Sequence, residues 1–119
     1  YILFEMTSIF IPSINKEISF SVGKNANNNF DIITNANEDD LWFHVDGEPS
    51  SHVIAHIAGE NLNKKQLHKI VMQAAVLCKS KSKAKSSKNV PILYTFIRNL
   101  VKTDVIGSVI TSNTKSVVI

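Results

Sequence analysis

The chain has 119 residues, 44% hydrophobic and 19% charged, with 13 Lys and Arg against 10 Asp and Glu. That length suits one domain, residues 1–119, with a core of its own, and the composition excludes a disordered polar chain. The single cysteine, Cys78, excludes an internal disulfide and a four-cysteine zinc site, and no apolar run approaches the roughly 20 residues of a membrane span.

A reducing, cytoplasmic setting with no membrane contact is therefore expected. The start, Tyr1 to Met6, has no basic leader and carries Glu5 inside its apolar stretch, so it makes a poor signal peptide. With no Met at position 1, a trimmed N-terminus is expected.

Ile2 to Ile11 is rich in β-branched and aromatic residues and ends at Pro12 and Ser13, which predicts a strand. A hairpin should lead into Glu17–Val22, where Ile18, Phe20 and Val22 alternate with Glu17, Ser19 and Ser21. Gly23 closes that strand. Asn25 to Asn29 read as a loop, because asparagine tolerates left-handed backbone angles and makes local turns. Phe30 to Ile33 read as a short helical turn or packing segment.

The segment from Asp40 to Ile54 is the most specific in the chain. Leu41, Phe43 and Val45 share one strand face, and Trp42, His44 and Asp46 share the other. After the Gly47–Pro49 turn, Val53, Ala55 and Ile57 take one face of a second strand, with His52, Ile54 and His56 opposite. Antiparallel pairing would put the two histidine-bearing faces on the same side.

One long helix is expected next. Asn63 can cap it, Gln66 can reach back as in a capping box, and Leu67, Ile70, Val71, Ala74, Leu77 and Cys78 form one apolar stripe. Where the stripe ends the chain turns basic, with Lys79, Lys81, Lys83, Lys85 and Lys88. Pro91 opens a final β region. Ile92–Phe96 and Ile97–Lys102 are strand-like, Gly107 marks a turn, and Val109–Thr111 with Ser116–Ile119 suggest a closing hairpin. The fold class is α+β: a largely antiparallel sheet with one long helix packed on a face.

Cations at a helix C-terminus offset its dipole by about 0.3–1 kcal/mol each, but that needs only one or two in the last turn. Here five lysines fall within ten residues with no acid among them. If the helix continues, Lys81, Lys85 and Lys88 share one side; if it ends, they line a basic loop. Either form suits phosphate contact.

Trp42, His44, His52 and His56 could form a stacking platform, a metal site or plain packing. The spacing H-x7-H-x3-H, even with Asp40 or Asp46 added, matches no strong zinc pattern, so no metal and no other cofactor is assigned. A Trp on a sheet face beneath a helix is most often core, and Trp42 is read that way. Cys78 sits on the apolar stripe as a buried small hydrophobe. Ser50-Ser51-His52 are adjacent in sequence, whereas a working Ser/His pair is assembled from separate segments. Gly23-Lys24-Asn25 is too short for a phosphate loop. No catalytic residue is assigned, and the chain is read as a non-enzyme.

These motifs resemble the NFACT-R domain, the RNA-binding domain of proteins in ribosome-associated quality control. The matching residues are Gly23-Lys24-Asn25 with Asn29 and Asp31, Asp40-Leu41-Trp42-Phe43-His44-Val45, and Pro49-Ser50-Ser51-His52-Val53. Further matches are Ala74-Ala75, Ser80 to Lys83, Tyr94-Thr95, Val101-Lys102 and Gly107-Ser108-Val109. Ser50 departs from the glycine of the multidomain members, and the other domains of those proteins do not accompany it. The size is closer to standalone relatives, so an excised domain or a minimal protein is expected.

The resemblance implies binding of structured RNA, tRNA or large-subunit rRNA, with the large ribosomal subunit and DNA as further partners. By analogy Lys24, Asn25, His44, Ser51, His52 and Lys102 are contact residues, and Arg98 with Lys79, Lys81, Lys83, Lys85 and Lys88 gives electrostatic support. A protein-interaction module docking on a ribosomal or partner protein is the alternative.

Overall fold

The strand expected at the start spans Glu5–Ile11 (β1) in the computed structural model, which describes residues 5–119; the first part of that expectation, Ile2 to Phe4, lies outside them. A turn at Pro12–Ile14 and a left-handed Asn15 (φ 51) return the chain into Lys16–Val22 (β2), paired antiparallel from Glu5 opposite Val22 to Ile11 opposite Lys16.

The asparagine-rich segment is helical. Asn25 Oδ1 accepts the backbone N–H of Asn28 at 2.9 Å and caps a helix, Ala26–Thr34 (α1), where a loop and a single turn were expected. Asparagine is a poor helix former because it competes for backbone hydrogen bonds, yet the same chemistry makes it a strong N-cap. Burial of Ile32 and Ile33 against Trp42 and Ile54 supplies the stability that propensity lacks.

Leu41–Val45 (β3) pairs antiparallel with Val53–Ala55 (β4), with Trp42 opposite Ile54 and Phe43 opposite Val53, so the two faces divide as the alternation predicts. The long helix is Lys64–Ser80 (α2), and its capping box between Asn63 and Gln66 is fully formed. Its Ile70, Val71, Ala74, Ala75 and Cys78 pack with Phe20, Phe43, Val53 and Ile92 into the main core.

Pro91–Phe96 (β5) forms as expected, but Ile97–Asn99 is a tight helical turn and only Leu100–Lys102 (β6) is extended. The C-terminal strands pair differently from the expected hairpin. Val109–Thr111 (β7) pairs with β6 as a separate two-stranded ribbon, and Lys115–Val118 (β8) pairs with β5 at the sheet edge. The apolar residues explain the split: Val109 packs on the Trp42 core, whereas Val117 packs on the main core. One hairpin cannot serve both.

The sheet order is β1-β2-β4-β3-β5-β8, antiparallel throughout. The α+β class stands, with α2 on one face and α1 plus the ribbon on the other. With both faces covered, β3 and β4 lose the usual polar side, which is why Trp42 (2% exposed) and Ile54 are buried.

Candidate nucleic-acid interface

Four segments meet where β2 ends, α1 begins, β4 is entered and the loop after α2 starts. They wall a cleft of about 510 Å³. Lys24, Asn25, His44, Ser51, His52, Lys81 and Lys83 all line it, and no acidic residue does. Seven of the twelve residues expected to contact nucleic acid are thus brought together from segments far apart in sequence. Gly107 and Ser108, in the turn of the β6–β7 ribbon, complete the wall.

His52 is held from three directions. Its backbone N–H donates to Asn29 Oδ1 at 3.1 Å, and its carbonyl accepts from Gly23 N–H at 2.9 Å. A methyl group on Gly23 would lie 1.9 Å from Asn29 Oδ1, so the close approach of strand and helix requires glycine there. On the ring, Nδ1 accepts the Trp42 indole N–H at 3.0 Å. Indole only donates, so His52 Nδ1 carries no proton and the neutral ring has its hydrogen on Nε2. Burial, with His44 nearby, pushes its pKa down to about 3.

His44 stacks on Trp42, with ring centroids 5.7 Å apart and an interplanar angle of 11°, and stands edge-on to His52 at 5.0 Å. Its Nδ1 donates to the carbonyl of Val45 at 2.6 Å. Burial lowers its pKa, against the opposing pull of the Val45 carbonyl and Asp46. A smaller hollow of about 240 Å³, lined by Trp42, Leu93 and Val109, adjoins the cleft at these two histidines.

A family model described as NFACT protein RNA binding domain matches residues 6–117. The chain belongs to this family. It is 35% identical to Rqc2 homolog RqcH of Bacillus subtilis over 86 residues, which is 71% of this chain and 14% of that protein. Its fold is similar to the C-terminal structure of the fibronectin/fibrinogen-binding protein from Streptococcus suis, with a TM-score of 0.76 and 27% identity over 90% of this chain and 42% of that one. Of the motifs that carried the resemblance, Gly23-Lys24-Asn25, His44 and Ser51-His52 line the cleft of this NFACT-R chain, Trp42 lines the adjoining hollow, and Phe43 is buried in the main core.

Ser50, where multidomain members have glycine, puts its hydroxyl to use: Oγ accepts from Val45 N–H and donates to the Ser51 carbonyl, both at 3.1 Å. Ser51 Oγ donates to the Lys81 carbonyl at 3.5 Å, tying the basic loop to the entry of β4. α2 ends at Ser80, and the loop is folded by Ser82 Oγ bonding Lys79 O and by burial of Ala84.

The remaining basic residues stand outside the cleft. Lys79 donates to the Ile119 carbonyl at 3.2 Å, and Lys85 and Lys88 are exposed further along the loop. Arg98 pairs with Asp39 and lies over the Phe96 ring at 4.2 Å; Lys102 bonds Thr34 Oγ1 and lies over Phe30 at 5.1 Å. Lys81 is partly engaged by Glu5 at 3.4 Å.

His56 does not join the other two histidines. Its Nδ1 meets Asp40 Oδ2 at 3.1 Å and its Nε2 meets Ser21 Oγ at 2.6 Å, a Ser-His-Asp relay that adjacency in sequence does not disclose. Ser21 is 1% exposed and lines none of the three clefts described among these residues. Asp40 also accepts from the N–H groups of Asn37 and Ala58. The relay ties β2 to the residue that precedes β3 and the residue that follows β4. Among the described residues no group of three His, Cys, Asp or Glu is placed to hold a metal ion. Cys78 is buried, which pushes its thiol pKa up to about 12. Among the same residues no helix is long and apolar enough to cross a membrane.

Proposed function

We propose that residues 1–119 act as one non-catalytic RNA-binding module of ribosome-associated quality control, in the cytoplasm, taking structured RNA such as tRNA or large-subunit rRNA. One observation carries the reading: Lys24, Lys81 and Lys83, from two distant segments, converge on a cleft that no carboxylate lines. Each neutralised phosphate releases counterions and adds salt-dependent affinity. Membership of an RNA-binding domain family and likeness to Rqc2 homolog RqcH support the setting.

The test is a gel shift with tRNA, rRNA fragments and duplex DNA across a salt series. Replacing Lys24, Lys81 and Lys83 together by Ala should weaken RNA binding about tenfold or more and reduce the salt slope by roughly two to three. The same change at Lys79, Lys85 and Lys88 should cost less. Unchanged affinity in the first variant would remove the cleft from the reading.

A second reading rests on an apolar surface that meets the cleft at Ile106. Val101, Val105, Ile106 and Ile110 on and beside the β6–β7 ribbon are all more than half exposed, which favours docking on a protein. That binding would tolerate salt and would survive loss of the three lysines.

A further inference from the structure

The two cleft histidines are locked in opposite hydrogen-bonding roles. Trp42 donates to His52 Nδ1, so neutral His52 has only its Nε2–H left to offer, a donor. His44 donates from Nδ1 to the Val45 carbonyl, so neutral His44 has only its Nε2 lone pair left, an acceptor. Neither Nε2 has a partner among the described residues. His52 is 3% exposed, yet no buried side-chain nitrogen or oxygen among those residues is left without a partner, so its Nε2 touches open space. The open space at His52 is the cleft and the adjoining hollow, and His44 lines both as well.

We propose that His44 and His52 form a fixed acceptor–donor pair that binds a ribose 2′-hydroxyl, so that this cleft distinguishes RNA from DNA. The inference rests on the RNA-binding reading of the same cleft and adds which atom of the ligand is read. A hydroxyl both donates and accepts, and a 2′-hydroxyl can satisfy both rings at once, whereas a deoxyribose leaves both unpaired. A phosphate would accept from His52 but has nothing to give His44. Carboxylates fail for the same reason. The surroundings suit a nucleotide in this pose. Lys24, Lys81 and Lys83 line the larger compartment, where phosphates belong. Trp42, Leu93 and Val109 line the smaller, where a base edge meets apolar surface beyond the histidines. The two compartments meet at the pair, as sugar lies between phosphate and base.

The experiment displaces labelled tRNA from the whole chain with short single-stranded oligonucleotides of one mixed sequence, as RNA, DNA and 2′-O-methyl RNA. The unmodified RNA should compete about fivefold to tenfold better than either analogue, since one or two hydrogen bonds to buried groups are at stake. The 2′-O-methyl form still accepts but no longer donates, so its weakness isolates the His44 bond. In His44→Phe, which keeps a ring over Trp42 and removes the acceptor, RNA and 2′-O-methyl RNA should converge to within about twofold, while DNA, which also lacks the oxygen that accepts from His52, stays weaker. Equal competition by RNA and DNA, no competition by the RNA oligonucleotide, or a preference for RNA over 2′-O-methyl RNA that survives undiminished in folded His44→Phe overturns the proposal. The comparison of competitors on the wild-type chain needs no variant. Failure of the broader reading looks different, because tRNA itself would then not bind, or would bind regardless of Lys24, Lys81 and Lys83.

Discussion

Asn29 Oδ1, on the buried side of α1, accepts the backbone N–H of His52 at 3.1 Å and lies where a side chain on Gly23 would have to sit. Helix, strand end and cleft histidine are therefore fixed by one amide. Gly23→Ala should destabilise the fold by about 1–3 kcal/mol through overpacking. The double variant Gly23→Ala, Asn29→Ala should lose less than the sum of the single changes, because each removes the reason for the other's cost. Urea unfolding of the four proteins measures the coupling, and strict additivity would contradict it.

His52 gives a signed pH dependence. Its pKa is about 3 in the folded chain against 6.5 ordinarily, so between these values the unfolded chain binds the extra proton. Stability from this residue is present above pH 6.5 and is lost as pH falls through that window, at up to about 1.4 kcal/mol per unit. His44, also lowered, acts with the same sign. Glutamine at position 52 can accept from Trp42 without titrating. The stability of His52→Gln should fall less steeply from about pH 7 to about pH 5 than that of the wild type. Parallel curves would exclude His52 as the source.

Lys81 is the cleft lysine with an acidic partner, Glu5, at 3.4 Å on an exposed surface. Such pairs contribute at most about 1 kcal/mol to stability, so Glu5→Gln should leave the melting temperature almost unchanged. It frees a cation for phosphate, and RNA affinity at low salt should rise about twofold, with a steeper salt dependence. Weaker RNA binding by this variant would mean that Glu5 positions Lys81 rather than competing for it.

Cys78 should be inert in the folded chain. Its pKa of about 12 and its burial on the sheet-facing side of α2 leave almost no thiolate at neutral pH. Disulfide-exchange labelling should proceed only through opening of the core, and its rate should track denaturant as unfolding does. Rapid labelling in buffer alone would show a looser packing of α2 on the sheet.

Much of this arrangement is legible in the sequence where a signal is local. Trp42 and Ile54 alternate with apolar neighbours at a period of two, so the faces of β3 and β4 can be read directly. Asn63 and Gln66 announce α2 by their own spacing. α1 is hidden because its asparagines favour caps and turns, and only tertiary burial of Ile32 and Ile33 makes them helical. The partners of β7 and β8 are equally hidden, since two short apolar strands look alike until it is known which core each one fills. The lysine cluster is plain, but which lysines face the cleft depends on Ser51 reaching the Lys81 carbonyl and on Ala84 being buried. The relay of Ser21, His56 and Asp40 joins residues 35 and 16 positions apart, and no pattern of spacing marks it.

The ribbon turn meets the first turn of α1 through Gly107, at a positive φ of 85, where an added methyl group would lie 2.9 Å from Ala26 Cα. Two backbones touch there with nothing left to trim. The contact sets a limit on packing: the ribbon already lies as near the helix as the two backbones allow. Enlarging this one residue would therefore push the ribbon outward and widen the candidate cleft, whereas narrowing the cleft would require the helix itself to move.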